Sequence, residues 1–370
     1  MTIRVPITEH RDASYDILVG SGLLTELPAL LARHCPAPQY AVITDSHVQQ
    51  LYGGPVAAAL QTAGLAVELL PFAAGEWNKT RETWATLSDQ MLARTLGRDC
   101  AVIALGGGVV GDVAGFVAAT YQRGVPHVQV PTSLLAMIDS SIGGKTGVDV
   151  PAGKNLVGAF HQPRLVVADL DTLATLPPNQ LAAGAAEAIK HAVIADPEYF
   201  AFLETVPSAV RARERAVLER LVVRSVEIKA GVVAEDERET GRRAVLNFGH
   251  TVAHAIEATA KFAVLHGEAV AIGMAYEAVL AERLGRAEPG TARRITDLLA
   301  RYGLPLDLPE SATPDALLEA MRLDKKVRSG QVRFALPARI GTMCGDGTGG
   351  WTLPVPEPLV ADVLARPVTH

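Results

Sequence analysis

The chain has 370 residues, of which 49% are hydrophobic and 20% charged, and its formal net charge is −6 at pH 7. This length and composition predict a globular protein of about two domains with substantial cores. The sequence contains neither a run of Lys and Arg nor basic residues interleaved with aromatic ones, which argues against nucleic acid as a partner.

The cysteines and the N-terminus bear on the cellular compartment. Cys35, Cys100 and Cys344 form no CxxC motif and are too few for a disulfide framework. The opening residues, "MTIRVPITEHRD", lack the charged and then apolar pattern of a signal peptide. Together these features predict a cytoplasmic protein.

Short β-rich runs alternate with helical patterns in the first half of the chain. The runs are "YAVITD" (40–45), "AVELLPF" (66–72), "CAVIALGGG" (100–108), "HVQVPT" (127–132) and "RLVVADL" (164–170). Near-continuous apolar strands separated by helices are typical of a parallel sheet covered on both faces. We therefore expect an α/β, Rossmann-like nucleotide-binding domain over residues 1–176.

The longest apolar stretch, residues 101–121, is long enough to resemble a membrane span. Its centre is rich in glycine and is followed by Asp112. A buried strand, a turn and a helix explain this composition better than a span does. We therefore expect no membrane association.

The same stretch contains a candidate phosphate-binding turn. Gly106, Gly108 and Gly111 satisfy the G-x-G-x-x-G pattern directly after a predicted strand, where glycines let the backbone approach a phosphate. The carboxylate usually found about 20 residues later is missing, which makes Asp45 and Glu76 candidates to hold a ribose. A tight strand–helix turn without a nucleotide is the alternative.

Two Gly-Lys pairs lie in the turn-rich stretch 139–158. Neither pair satisfies the P-loop motif. Before the first pair, Asp139 stands where the motif requires Gly, and after the second pair, Asn155 stands where it requires Ser or Thr. Lys145 and Lys154 remain candidates as point charges for a phosphate or carboxylate. Solvated loop lysines are the alternative.

The hydrophobic period changes to that of helices in the second half of the chain. Helix-length patterns run through 180–196, 209–234, 248–260, 267–285 and 290–303. We place the boundary near Pro177-Pro178 and expect a mainly helical domain over 177–370, with the active site in the cleft between the domains. The last 40 residues are interpreted as loop or short strand.

Three histidines lie within one short window, "NFGHTVAHAIEATAKFAVLHGEAV" (247–270). His250 and His254 have the i,i+4 spacing of zinc helices, but Thr251 stands where the metalloprotease motif has Glu. His266 lies 16 residues after His250, nearly opposite on one straight helix at about 100° per residue. One metal can take both only if the chain breaks between them, as "KFAVLHG" suggests. A solvated helix face is the alternative.

Seven blocks occur in an order that resembles the 3-dehydroquinate synthase family over roughly residues 40 to 340. They are "GEWNKT", "GGGVVGDVAGFVAATYQRG", "PTSLLAMIDSSIGGKTGVDVPAGKN", "AAEAIKH", "NFGHTVAHAIE", "LHGEAV" and "LDKK". The resemblance implies a carbon–oxygen lyase that acts on 3-deoxy-D-arabino-heptulosonate 7-phosphate. The implied steps are NAD-dependent oxidation at C5, phosphate elimination, reduction, ring opening and aldol closure to 3-dehydroquinate, in the shikimate pathway to aromatic amino acids.

The resemblance also implies the site residues. The implied metal ligands, for Zn²⁺ or alternatively Co²⁺, are Glu187, His250 and His266. The implied contacts to NAD⁺ are Asp45, Glu76, Lys79, Gly106, Gly107, Gly108, Asp112, Thr132, Ser133, Lys154 and Thr175. The implied contacts to the phosphate and carboxylate of the substrate are Lys145, Asn155, Lys229, Arg243, Asn247, His254 and Lys325. Asp139 and Lys190 would hold its hydroxyl groups, and Arg123 would reach across a homodimer interface. Lys325 is chosen over the adjacent Lys326.

Two rival interpretations accompany this one. Related sugar-phosphate cyclases make inosose, valiolone or amino-dehydroquinate products, and the amino substrate differs by one heteroatom. Lys229, Arg243 and Asn247 together favour a substrate with a carboxylate. A metal-dependent, NAD-linked alcohol dehydrogenase would need the glycine turn and the metal but no phosphate pocket.

Overall fold

A computed structural model describes residues 12–260, 264–323 and 331–368. The first half of the chain consists of alternating strands and helices, followed by a two-stranded hairpin and a last strand. In chain order these elements are β1 Asp16–Gly20, α1 Leu23–His34, β2 Gln39–Asp45, α2 Ser46–Val48, α3 Gly54–Thr62, β3 Ala66–Phe72, α4 Arg81–Ala93, β4 Ala101–Gly106, α5 Gly108–Thr120, β5 His127–Pro131, β6 Lys145–Val150, β7 Gly153–Phe160 and β8 Leu165–Asp169.

Six of these strands form one parallel sheet in the order β1-β8-β5-β4-β2-β3. Strands β4, β5 and β8 are buried along their whole length, as expected where helices cover both faces of a parallel sheet. Parallel pairing brings the carboxyl ends of β2, β4 and β5 to one edge of the sheet. The α/β class predicted for this half is confirmed.

The second half is mainly helical. Its elements are α6 Pro178–Ala195, α7 Pro197–Thr205, α8 Pro207–Arg211, α9 Arg215–Glu235, α10 His250–Ala260, α11 His266–Arg283, α12 Thr291–Arg301, α13 Pro314–Leu323, the short strands β9 Arg333–Phe334, β10 Pro337–Arg339, β11 Thr342–Met343 and β12 Leu353–Pro354, and α14 Glu357–Leu364. No helix of the described ranges is long and apolar enough to cross a membrane.

The apolar core of this second half extends into the first. Leu134, Met137 and Ile138, which follow β5, are fully buried in the same cluster as the residues of α6 and α9–α11. The two halves therefore pack directly on each other beside the segment that carries Asp139. The division between residues 176 and 177 falls between β8 and α6, and it stays a prediction.

Four features of the fold differ from the sequence-based expectation. Strand β1 was not predicted, and residues 145–160 form the antiparallel hairpin β6–β7 rather than only turns. The helix predicted over 209–234 is interrupted between α8 and α9, where Arg213 adopts a φ of 58°. The last 40 residues contain α14 in addition to short strands, because Val360, Val363 and Leu364 bury one face of that helix.

Candidate active site

Three side chains from three helices meet in one place. Glu187 lies in the middle of α6, and His250 and His266 are the first residues of α10 and α11. Each offers a ligand atom, and these atoms all lie within 4.8 Å of one another. The Oε1 atom of Glu187 is 3.6 Å from Nε2 of His250 and 3.4 Å from Nε2 of His266.

The chain leaves the helical conformation before His266, as the sequence required. Leu265, which precedes α11, has extended backbone angles of φ −67° and ψ 147°. This lets the rings of His250 and His266 approach to 5.4 Å between centroids. The ring of His254 lies 5.6 Å from that of His250, edge-on at 87°, and His254 does not belong to the ligand group of three.

The Glu187 carboxylate is fully buried, and no backbone N–H or hydroxyl group of the described residues donates to it. Lys190, one turn further along α6 and also buried, forms an ion pair with it. Burial alone would raise the pKa of Glu187, but Lys190 and the nearby histidines outweigh burial and hold it below the usual value. The carboxylate is therefore charged and presents lone pairs toward the two imidazoles.

A second carboxylate lies behind His266. Glu257 on α10 places Oε1 3.2 Å from Nδ1 of His266 and 2.9 Å from Nζ of Lys154. Lys154 in turn lies 3.2 Å from Glu76. Burial works against protonation of His266, but Glu257 and Glu187 outweigh it and raise the pKa of His266 to about 10. The Nδ1 atom of His250 lies 3.1 Å from the Phe248 carbonyl. Each ring is thus held on the side away from Glu187.

Asp139 connects this cluster to the first half of the chain. It lies in the single turn Ala136–Ser140, and its Oδ1 accepts a hydrogen bond of 2.6 Å from Lys229 of α9 and lies 3.8 Å from Lys190. Burial would raise the pKa of Asp139, but the two lysines hold it well below the usual value. Asp139, Glu187 and His191 also bring ligand atoms within 4.8 Å. Because Lys190 and Lys229 already balance these carboxylates, we assign no second metal there.

A third group combines cationic and amide side chains. Glu239 forms an ion pair with Lys145 at the start of β6 and accepts a hydrogen bond from Asn247. Arg243 is buried at 2% exposure and donates to the Gly143 carbonyl, 3.2 Å away, and to the Glu237 carbonyl. Arg243 and Asn247 both lie in the helical turn Arg242–Asn247, directly before α10.

The predicted nucleotide turn lies at the carboxyl edge of the sheet. Strand β4 ends at Gly106 and α5 begins at Gly108. A Cβ atom at Gly106 would lie 2.5 Å from the Val110 side chain, and one at Gly111 would lie 2.9 Å from Gln129. Packing therefore requires both glycines, so the pattern alone does not demonstrate a nucleotide. Thr132 and Ser133 follow the neighbouring strand β5, and the Thr132 amide donates to the Gly106 carbonyl at 2.9 Å.

Three other predicted nucleotide contacts bind groups of the protein itself. Lys79 is buried and donates to Asp112 of α5 at 2.5 Å. Asp45 ends β2 and accepts from the amides of His47 and Val48 at 2.8 and 2.9 Å, so it caps the next helical turn. Thr175 lies 2.6 Å from the Tyr52 hydroxyl.

Four predicted contacts lie on the surface, among them Lys145 and Thr175, and one lies outside the described residues. Arg123 and Asn155 are exposed and have left-handed φ values of 70° and 54°. Asn155 donates its backbone N–H to Asp149 at 2.8 Å. Lys325 and Lys326 fall in the range 324–330, outside the described residues. The roles given to all these residues stay predictions.

Sequence reasoning missed three carboxylates that contact site residues or the backbone beside them: Glu239, Glu257 and Glu277. A signal existed for Glu257, which lies about two helical turns after His250 and hence on the same face of α10. Glu239 and Glu277 reach their partners through the tertiary fold, so no local pattern identifies them.

Comparisons with known proteins agree with this architecture. A 2-epi-5-epi-valiolone synthase from Streptomyces hygroscopicus subsp. jinggangensis, solved with NAD⁺ and Zn²⁺, superposes with a TM-score of 0.88 at 32% identity, covering 98% of each chain. A 2-deoxy-scyllo-inosose synthase complexed with carbaglucose-6-phosphate, NAD⁺ and Co²⁺ gives 0.88 at 29% identity, covering 95% of this chain and 96% of the other. The fold is that of the sugar-phosphate cyclases.

Sequence matches define the family more narrowly. The family descriptions "3-dehydroquinate synthase N-terminal" and "3-dehydroquinate synthase C-terminal" match residues 69–183 and 184–327. A 3-dehydroquinate synthase from Symbiobacterium thermophilum is 52% identical over 335 residues, which cover 90% of this chain and 94% of that protein. The chain belongs to the 3-dehydroquinate synthase family.

Proposed function

We propose that this chain converts 3-deoxy-D-arabino-heptulosonate 7-phosphate to 3-dehydroquinate and phosphate, as a carbon–oxygen lyase acting on a phosphate ester. Family membership supports the reaction, because the relative with 52% identity carries the name of this activity. The observation that carries the proposal in the structure is the meeting of Glu187, His250 and His266 with the buried cations Lys190 and Lys229 around Asp139.

The ligand group fits a catalytic zinc ion. Zinc prefers imidazole nitrogen and carboxylate oxygen, and a catalytic site uses three protein ligands and leaves positions for substrate. No backbone N–H or hydroxyl group within the described ranges donates to the buried oxygens of Glu187, and Nε2 of both histidines lies near Oε1. Residues Glu187, His250 and His266 would hold the ion, and cobalt, which the inosose synthase structure contains, suits the same ligands.

The sheet edge fits NAD⁺. Gly106–Gly108 lead from β4 into α5, so backbone N–H groups of the first turn face the edge of the sheet, where a pyrophosphate is favoured. The remaining residues proposed to hold NAD⁺ are Asp45, Glu76, Lys79, Asp112, Thr132, Ser133, Lys154 and Thr175. When bound, NAD⁺ supplies a hydride acceptor and zinc supplies Lewis-acid polarisation of a substrate oxygen.

The chain's own side chains bind and orient the substrate. Lys145, Asn155, Lys229, Arg243, Asn247 and His254 provide donors for a phosphate and a carboxylate, with Lys325 as a further candidate. Charge-assisted hydrogen bonds from such groups are stronger than neutral ones. Asp139 and Lys190, which lie 3.8 Å apart beside the ligand group, would hold the hydroxyl groups of the substrate. Phosphate loss then depends mainly on orientation of the leaving group.

The assembly and compartment complete the proposal. We infer a homodimer in which Arg123, exposed at the end of a turn, contributes to the phosphate pocket of the partner. A cytoplasmic location agrees with Cys35, Cys100 and Cys344, which are buried free thiols.

The proposal is tested by offering the purified protein two substrates in the presence of zinc and NAD⁺. One is the heptulosonate phosphate, and the other is a hexose 6-phosphate, which lacks the carboxylate. We expect phosphate release and dehydroquinate formation from the first and no phosphate release from the second. Equal release from the hexose phosphate would favour another sugar-phosphate cyclase activity.

A further inference from the structure

Glu277 is a buried carboxylate that no role described above uses. It lies on α11, about three turns after His266, and its side chain is 0% exposed. Its Oε2 accepts a hydrogen bond from the Gly249 amide at 2.7 Å, and its Oε1 accepts from the amides of Thr251 and Val252 at 3.0 and 3.2 Å. One of these amides precedes His250 and two follow it. They lie at the N-terminal end of α10, where N–H groups have no acceptor within the helix.

In the same region the backbone just before α10 lies against α11. A Cβ atom at Gly273 would lie 1.9 Å from the Gly249 carbonyl oxygen. Gly249 has a φ of 82°, and a Cβ atom there would lie 2.7 Å from the Met274 side chain. The backbone before His250 therefore rests directly on α11, and Glu277 binds it one turn further along that helix.

We propose that Glu277 is a positioning residue for the metal centre, which sets His250 relative to His266. The proposal rests on the zinc site proposed above. Glu277 and His266 belong to one helix, and Glu277 holds the amides on both sides of His250 in the other. A shift of the first turn of α10 would move the His250 ring relative to Glu187 and His266. Ligand distances in a well-formed zinc site lie within about 0.2 Å of their standard values, so such a shift would weaken zinc binding.

The test measures metal binding by the apoprotein, not turnover. Zinc affinity is obtained by competition with a chromophoric chelator, and the Co²⁺ absorption spectrum reports the ligand geometry. The Glu277→Gln variant replaces one acceptor oxygen by an NH₂ group that faces N–H donors. We expect zinc affinity to fall about tenfold or more, as for other outer partners of metal ligands, and the Co²⁺ spectrum to change.

Asp169→Asn provides a matched control. Asp169 is also buried, at 2% exposure, and accepts from the amides of Gly22, Leu24 and Asp171 at 3.1, 2.8 and 3.1 Å. It belongs to none of the helices that carry the ligands. We expect a comparable loss of thermal stability with unchanged zinc affinity and Co²⁺ spectrum. Equal losses of zinc affinity in both variants, or none in Glu277→Gln, would overturn the proposal.

If Glu277→Gln does not yield folded protein, Glu277→Asp decides the question. This variant keeps the charge but withdraws the carboxylate by one methylene from the amides of Gly249, Thr251 and Val252. We expect a smaller fall in zinc affinity in the same direction, and wild-type affinity would overturn the proposal. If the wild-type protein binds no zinc, the proposed metal centre itself is contradicted. If the wild type binds zinc and Glu277→Asp binds it equally well, only the role of Glu277 is contradicted.

Discussion

Glu257 and His266 form a carboxylate–imidazole pair with 3.2 Å between Oε1 and Nδ1, while Nε2 of the same ring lies 3.4 Å from Glu187. A carboxylate on the outer nitrogen fixes the orientation of an imidazole and raises its strength as a ligand. Glu257 also binds Lys154, which contacts Glu76 on the proposed nucleotide side. The two proposed cofactor sites are therefore connected through three charged side chains.

The first prediction concerns this pair. Glu257→Gln should lower zinc affinity by about 10-fold or more, because the ring loses its charged acceptor. Chelator competition on the apoprotein measures the change. Glu204→Gln removes a surface carboxylate that pairs with Arg294, and it should leave zinc affinity unchanged. An unchanged affinity in Glu257→Gln would contradict the role given to this pair.

The ligand assignment predicts different outcomes for the three histidines. His250→Ala and His266→Ala should each lose tightly held zinc and turnover. His254→Ala should retain about one zinc per subunit while phosphate-dependent steps are impaired. Metal content of dialysed protein distinguishes them. Loss of zinc from the His254 variant, together with retention in the His266 variant, would restore the i,i+4 pair as ligands.

Lys145 tests the proposed anion pocket. It is exposed and is paired with Glu239, so Lys145→Ala should change the melting temperature little. A lost charge-assisted contact to substrate corresponds to about 1.5–3 kcal/mol, which predicts a fall in kcat/KM of about 10- to 150-fold. Arg293→Ala, at a residue whose side chain is 86% exposed, is the control and should change neither quantity. Normal kcat/KM in the Lys145 variant would remove this residue from the pocket.

The burial of His127 predicts how the free energy of unfolding depends on pH. Its ring is 1% exposed, neither nitrogen has a hydrogen-bond partner among the described residues, and it stacks on His161 at 5.0 Å. Burial, assisted by His161, lowers the pKa of His127 from 6.5 to about 3. Between these values the unfolded chain binds a proton that the native protein does not, so stability falls as the pH falls.

The expected contribution of His127 is a loss of about 2 kcal/mol between about pH 7 and pH 5. His127→Phe keeps an aromatic ring but cannot titrate. Between these two pH values, its free energy of unfolding should therefore fall by about 2 kcal/mol less than that of the wild type. Urea denaturation at the two pH values measures the difference. Parallel losses in the variant and the wild type would contradict a neutral, buried His127.

The fold could be predicted where burial leaves a local pattern. Strands β2, β4 and β8 are near-continuous apolar runs because both faces of the sheet are covered, and the predicted runs overlap these strands as well as β3 and β5. The β6–β7 hairpin was missed because its glycines and lysines are typical of turns. Gly147 and Gly158 instead allow close backbone approach, since a Cβ atom at Gly158 would lie 2.0 Å from the Thr146 carbonyl oxygen.

The site could be predicted only in part from local patterns. The helical phase of His250 and His266 required the break before α11, which the structure contains. The choice of Glu187 as their partner came from family resemblance, because no spacing rule connects α6 with α10. Glu277 lies far along α11 from the histidine window, and only the packing of α10 on α11 brings it to the Gly249 amide.

The central claim is that one site oxidises and reduces its substrate within a single turnover while releasing phosphate. The most direct measurement incubates the purified protein with zinc, excess heptulosonate phosphate and NAD⁺ well below the substrate concentration. We predict complete conversion, with phosphate and dehydroquinate formed in equal amounts and no accumulation of NADH. NADH formed in proportion to the substrate consumed, without phosphate release, would contradict the account and favour an alcohol dehydrogenase.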